Sequence, residues 1–544
     1  MKVAYNPAKY YPWPEIQDLI TAWCAAFPNL VKSYPIGKTY EGRDILCLEI
    51  TSPGTAPDEK PGYYIDANFH AGEVTGSAVA LYTVSWFLEN YGTNPEATLL
   101  LDKFTWYVVP RVCIDGSEMY FNTPFTLRSS TRLFPDTEDK PGLHGEDMNG
   151  DGIISMMRIE DPHGDWKVSE HDPRLMTRRK PDDINGTFYQ VYQEGRIVDF
   201  DGVEIKPARP RWGIDTNRNM PAFWEIDSRQ PGAGDYALSE PETKAVADFL
   251  ISKKNIAGAM SYHTFGNVHL RPSCTNPDTK MNKEDLAAYK LLGALGAEIT
   301  DYGHCSVFGG FTQDPNKPLL GVYLDWIYHH RGILCWSTEL WSALEAAGCD
   351  KPKFEGPRPQ KTAKEQEEEM LKVLAWHDKE GLDGFVAWQK FEHPQLGEVE
   401  IGGWKNKYIF QNPPEKYLPE ICEKNMRFTN MQALAMAQLH IRKVNAEKVA
   451  EGVYRVSCGV VNSGYLNTAG TSLATSIAVT KPVEVTICGD GVVVQGKEKL
   501  DLGHMAGRSE KKAEWLVQAT TGSIVTITAK GERAGTVRYE LEIV

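Results

Sequence analysis

Five apolar runs of strand length, at 44–50, 63–69, 104–112, 257–262 and 332–339, alternate with stretches of helical period at 74–90, 241–254, 284–299 and 362–379. This alternation predicts an α/β unit over residues 1–385, built on a mixed, mostly parallel sheet flanked by helices on both faces. In such a fold the chemistry sits where strands end. His70, His263 and Glu339 all fall at such ends. In the first helix Val74, Ala78, Leu81, Ser85 and Leu88 share one face. Thr362 and Glu365 form a capping box that opens the last helix of this unit.

A chain of 544 residues exceeds one ordinary core, so further units are expected. Residues 131–212 are long, polar and rich in Gly, Pro and Asp, and read as a surface insertion between two motif-bearing segments. Residues 386–443 read as a connecting region, with a loop or hairpin at 393–403 and a helix at 418–440. From about 444 the texture changes to short β-rich runs, at 453–461, 475–479, 483–488, 491–495, 514–518, 523–529 and 536–544. The last run alternates, with Val537, Tyr539, Leu541 and Ile543 on one face. A small all-β sandwich over 444–544 follows from that spacing. It holds no cluster of catalytic residue types, and its Asp490 and His504 read as surface residues.

The formal net charge of −15 argues against nucleic-acid binding, which needs a basic face. No apolar run reaches membrane-spanning length, and the N-terminus lacks the apolar core of a secretory signal. The ten cysteines lack regular spacing, and most lie in apolar runs. Reduced thiols and a cytoplasmic setting are therefore expected, with a trimmed secreted form as the alternative.

The segment His70, Ala71, Gly72, Glu73 follows a strand-like run and opens a helical one. A His and a Glu three apart in a turn project to the same side, and both are zinc ligand types. Three later clusters join them: Gly213 to Pro221, with Asp215, Asn217 and Arg218; Ser261, Tyr262 and His263; and the run from Ile333 to Leu340, with Glu339. Two His and one Glu leave an open metal position, the catalytic rather than the structural arrangement. The Glu left over is what a metal-activated water needs as a proton acceptor.

These clusters, in this order, resemble the zinc metallocarboxypeptidase family, the group of the pancreatic carboxypeptidases. The resemblance runs from about Tyr10 to Trp341. It includes the leading segment Tyr34 to Arg43, a partial match at Pro110 to Gly116 (Cys113 and Ile114 depart from the family pattern), and Ser239 to Thr243. In the last of these Ser239 would cap a helix, with Glu242 reaching back. The resemblance implies one zinc ion on His70, Glu73 and His263, with Glu339 as general base. It implies Asn217 and Arg218 as the clamp on the terminal carboxylate of a peptide substrate, because guanidinium pairs with carboxylate through two donors. Arg128 would stabilise the oxyanion, with Arg132 as a competitor. Asp215 reads either as the partner that orients a ligand His or as an ordinary turn residue. The specificity position is Leu324, which implies neutral or apolar terminal residues. The family's substrate-closing Tyr falls at Lys317, and Tyr323 lies in another register, so that role stays unassigned.

Asp147, Asn149 and Asp151, with Gly152 and Ile154, fit the first half of a calcium loop. Arg158 stands where a closing acid belongs, with Glu160 nearby, and an Asx-rich turn is the other reading. Two rivals to a carboxypeptidase are a zinc amidase or deacylase acting on cell-wall or acylated peptides, and a non-catalytic peptide-binding protein. Preference for acylated or D-configured substrates would mark the first. Zinc binding without turnover would mark the second.

Overall fold

The structure, a computed structural model, describes residues 3–312, 314, 316–354, 356 and 361–544. Its centre is an eight-stranded sheet. In chain order the strands are β1 (Val31–Lys38), β2 (Asp44–Ile50), β3 (Gly62–Ala67), β4 (Thr105–Val109), β5 (Ile256–Thr264), β6 (Val268–Arg271), β7 (Gly303–Ser306) and β8 (Leu334–Leu340). Across the sheet they run β1-β2-β4-β3-β5-β8-β6-β7. The four middle strands β4, β3, β5 and β8 are mutually parallel, while β1, β2 and β6 join by antiparallel pairings. The fold class is thus the expected one: a mixed α/β sheet followed by C-terminal antiparallel sheets.

Every residue of β3, β4 and β5 is buried. Such strands have both faces covered, which is why they read as apolar runs without alternation. The helix Thr75–Asn90 packs on β3 and β5, and the helix Leu418–Ala435 packs over it. Its polar face is therefore covered too, and Thr75, Ser77, Thr83 and Ser85 are buried with its apolar residues.

Residues 131–212 form short strands of their own. Met156–Glu160, Tyr189–Gln193, Trp166–Val168 and Met176–Arg178 join the hairpin Phe385–His393 and Gly397–Trp404 in a six-stranded sheet. A small core of Leu143, Met157, Ile197, Val399 and Ile401 holds it together. The region 386–443 therefore pairs with the insertion through its hairpin and packs on the main sheet's helix layer through Leu418–Ala435. Two four-stranded antiparallel sheets follow, sharing a core of Val456, Ile487, Trp515, Val517 and Ile527.

Three local expectations are corrected. The run 475–479 is not a strand: Ser472–Ser476 is a short helix capped by the Thr471 hydroxyl. In the final run Val537, Leu541 and Ile543 pack on the sandwich core as expected, but Tyr539 is 43% exposed. The helix Pro241–Ser252 is capped at Glu240, not Ser239, with Pro241 in its first turn. Glu242 reaches instead to the Tyr40 amide. The capping box at Thr362 and Glu365 is present. All ten cysteines are free, and Cys488 alone is exposed. Among the described residues no helix is long and apolar enough to cross a membrane.

Candidate active site

The functional side chains gather at the C-terminal ends of β3, β5 and β8. Nδ1 of His70 lies 2.8 Å from Glu73 Oε1, Nδ1 of His263 lies 2.9 Å from Glu73 Oε2, and the two Nδ1 atoms are 3.1 Å apart. Among the described residues this is the one group of His, Cys, Asp and Glu able to hold a metal ion, with its ligand atoms within 4.8 Å of one another. Lone pairs converging in a buried site repel unless a cation sits among them, and two nitrogens with one carboxylate suit zinc with an open position. The residues present fit the ion.

The outer ring nitrogens are tied down. Asp215 Oδ1 lies 3.2 Å from His70 Nε2. A carboxylate accepts, so Nε2 donates and Nδ1 keeps its lone pair for a metal. Asp215 also caps the turn Thr216–Arg218 through the Asn217 amide, so it is a turn residue that also contacts His70. Ser261 Oγ lies 3.2 Å from His263 Nε2 and donates to Asp66 Oδ1 at 2.5 Å. Asp66 was not among the expected site residues, although a carboxylate inside an apolar strand needs a partner and is itself a signal. Burial pushes the Asp66 carboxyl up to about 7, against the hydrogen bonds of Ser261 and Tyr323.

Burial opposes the charge on Glu73, but His70 and His263 overcome it and hold its carboxyl well below the usual range. At Asp215 burial is likewise outweighed, by Arg128 first and then by Arg218 and His70. Glu339 goes the other way. Burial, and next the charge of Glu73, raise its carboxyl to about 7 against the pull of His263, Arg128 and Arg218.

Arg128 donates from Nε to Asp215 Oδ2 at 2.9 Å and from Nη1 to Glu73 Oε1 at 3.3 Å, with its side chain 45% exposed. Arg132 is drawn away: its guanidinium forks onto the buried Glu240 and lies over the Phe134 ring. Arg218, Asn217, Arg128, Glu339, His70 and His263 line one cavity of about 60 Å3. Its apolar wall includes Leu270, Val307, Phe311, Leu319, Val322 and Leu324. Leu324, at the expected specificity position, is buried in the helix Tyr323–His329. Asn217 Oδ1 accepts from the Tyr323 amide at 2.9 Å, which joins the turn of Asn217 and Arg218 to that helix.

Tyr323 itself is buried, with its ring 4.7 Å from that of Phe69. Lys317 lines a neighbouring groove instead. No tyrosine lines the cavity among the described residues. Ser337, unnoticed in the sequence, lines it two residues before Glu339 on the same strand face.

The Asp147 loop gathers no metal group among the described residues. Asp147 accepts from the amides of Gly150, Asp151 and Gly152, Asn149 from that of Asp151, and Asp151 from that of Ile153. Arg158 is turned to Glu400. These contacts are those of an Asx-rich turn, and calcium gains no support.

Residues 16–355 match a family described as zinc carboxypeptidase, and residues 438–542 match a domain of unknown function. Carboxypeptidase O of Bos taurus is 25% identical over 303 residues, covering 54% of this chain and 61% of that protein. Carboxypeptidase A1 of Bos taurus is 24% identical over 340 residues, covering 60% and 61%. Zinc carboxypeptidase A 1 of Drosophila melanogaster is 33% identical over 334 residues, covering 60% of each. The chain thus spans about 60% of the length of these curated relatives. A crystal structure of carboxypeptidase A from Helicoverpa armigera aligns with 15% identity and a TM-score of 0.43, over 70% of this chain and 75% of that one.

Proposed function

The chain belongs to the zinc carboxypeptidase family, and from that premise we propose that it is a zinc-dependent carboxypeptidase. It cuts the last peptide bond of a peptide or peptide-like substrate bearing a free terminal carboxylate. The observation that carries this reading is a single cavity lined by two metal-ligand histidines, a carboxylate and two arginines.

His70, Glu73 and His263 would hold the ion. Zinc, when bound, supplies a Lewis acid that polarises a carbonyl and makes water nucleophilic near neutral pH. The other tasks fall to the chain. Glu339, with its carboxyl near 7, takes the proton of the attacking water and returns it to the leaving amine. Arg128 offers a half-exposed guanidinium where negative charge develops on the carbonyl oxygen. Arg218, beside Asn217, binds the terminal carboxylate and so selects the last bond.

The cavity wall around Leu324 is apolar, built from Leu270, Val307, Phe311, Leu319 and Val322, so neutral or apolar terminal residues are the favoured substrates.

Amino-acid release from a mixed peptide set tests the reading, with free and amidated C-termini compared in the presence and absence of a zinc chelator. Chelator-sensitive release from free termini alone is the expected result. Release from cell-wall or acylated peptides only would replace the carboxypeptidase with an amidase or deacylase.

A further inference from the structure

The turn that carries His70 and Glu73 is held by residues outside the segment 16–355 that matches the family. Asn412 is fully buried. Its Oδ1 accepts from the Thr75 amide at 3.1 Å and the Thr75 hydroxyl at 2.8 Å. Its Nδ2 donates to the Gly72 carbonyl at 2.7 Å, and also meets the Tyr120 hydroxyl and the Lys407 carbonyl at 3.0 Å. Gly72 lies between the two ligands, and Thr75 opens the helix that follows them. One side chain therefore satisfies the backbone on both sides of Glu73. Buried polar groups of this kind otherwise go unpaired.

The neighbours of Asn412 act on the same place. A Cβ at Gly72 would meet Gln411 Nε2 at 2.7 Å and Tyr120 Cε2 at 2.8 Å, so the Gln411 side chain from this segment and the Tyr120 ring both pack closely on the turn. The Pro413 carbonyl accepts from Tyr10 at 2.7 Å, and that hydroxyl also lies 3.2 Å from Thr75 Oγ1. The segment reaches the other half of the site as well. The Ile409 carbonyl accepts from Trp341 Nε1 at 2.7 Å. Trp341 follows Glu339 by two residues and holds φ at +71°, a conformation that a bulky side chain adopts only when its surroundings enforce it.

We propose that residues 406–413 form a strap behind the metal centre, in which Asn412 is a positioning residue for the His70–Glu73 turn. Zinc affinity then depends on a residue more than three hundred positions away in the chain. This inference rests on the zinc reading of His70, Glu73 and His263.

The test compares full-length wild type, Asn412→Ala, Gln411→Ala and Asn255→Ala. Asn255 is a buried amide that bonds backbone carbonyls at the opposite end of β5 and serves as the control. Zinc affinity is measured by competition with a chromophoric chelator well below the melting temperature, beside the Tm of each metal-free protein. Asn412→Ala and Asn255→Ala should both lower the metal-free Tm. Only Asn412→Ala should also weaken zinc, by about tenfold or more, the usual effect of losing a residue that orients ligands. Gln411→Ala should weaken it several-fold with little change in Tm, and it carries the test if Asn412→Ala does not fold. Unchanged affinity in both strap variants, or equal loss in Asn255→Ala, would overturn the positioning role. No zinc binding by the wild type would sink it together with the zinc reading.

Discussion

His263 and Glu339 are register partners on the adjacent parallel strands β5 and β8. Neighbouring strands lie about 4.8 Å apart, so the backbone ladder itself sets the separation of His263 from Glu339, the ligand and the base of the proposed mechanism. The same ladder pairs Ser261 with Ser337. Ser261 braces the outer nitrogen of His263, and Ser337 lines the cavity. This part of the site is built into the core of the sheet.

Arg218→Lys tests the carboxylate clamp. Lysine keeps the charge but not the two-donor fork. A charge-assisted hydrogen bond is worth roughly 1.5–3 kcal/mol, so kcat/KM for peptides with free C-termini should fall about 10–100-fold. Most of the loss should appear in KM. Steady-state kinetics with matched substrates checks it, and an unchanged KM would assign the clamp elsewhere.

Metal removal should destabilise the folded chain. His70, Glu73 and His263 come from two different strand ends, and an ion held by them would join them only in the native state. A ligand that binds only the native state adds about 2.7 kcal/mol at a free concentration of a hundred times its Kd. Calorimetry with and without a chelator should show Tm falling on chelation and recovering with added zinc.

Leu319→Ala should change which terminal residue is released. Leu319 lines both the cavity and the adjoining groove of about 720 Å3 that holds Phe223 and Trp224. Shortening it opens one into the other. The ratio of phenylalanine to alanine release should rise about tenfold or more, within the range for hydrophobic-pocket discrimination. Competition between two peptides in one tube measures it.

Glu242→Gln should stabilise the protein in neutral solution and not in acid. Burial, opposed by the Tyr40 amide, raises the Glu242 carboxyl from 4.5 to about 7. In the folded state it holds its proton to higher pH than in the unfolded chain. Its favourable contribution is therefore complete below about 4.5 and is lost as pH rises through 7. Glutamine keeps the acceptor and carries no charge. Its advantage at pH 8 should approach about 3 kcal/mol, from the rise of the Glu242 carboxyl from 4.5 to about 7, and should vanish near pH 4. Denaturant melts at the two pH values decide it, and an advantage independent of pH would contradict the account of Glu242.

Much of this was legible in the residues. The apolar runs placed β3, β4, β5 and β8 because a doubly covered strand has no polar face. Their ends then exposed His70, His263 and Glu339. What stayed hidden depends on contacts remote in sequence. Nothing local marks Asn412 as the partner of Gly72, and nothing near Arg132 announces its pairing with Glu240. The helix cap at Glu240 in place of Ser239 is a competition that Pro241 decides, since proline suits the first helical turn. The short helix at Ser472–Ser476 replaced an expected strand because Thr471 caps it. A five-residue stretch carries too little periodicity to tell the two apart.

The most direct measurement is residue release by zinc-reconstituted wild type and Glu339→Gln, with zinc content determined on the same samples. Glutamine preserves shape and leaves all three metal ligands in place, so both proteins should hold one zinc. The variant should release the terminal residue about 10²–10⁴-fold more slowly, the usual weight of a general acid–base group. Wild-type rates from a zinc-loaded Glu339→Gln protein would contradict the assignment of Glu339 as the base.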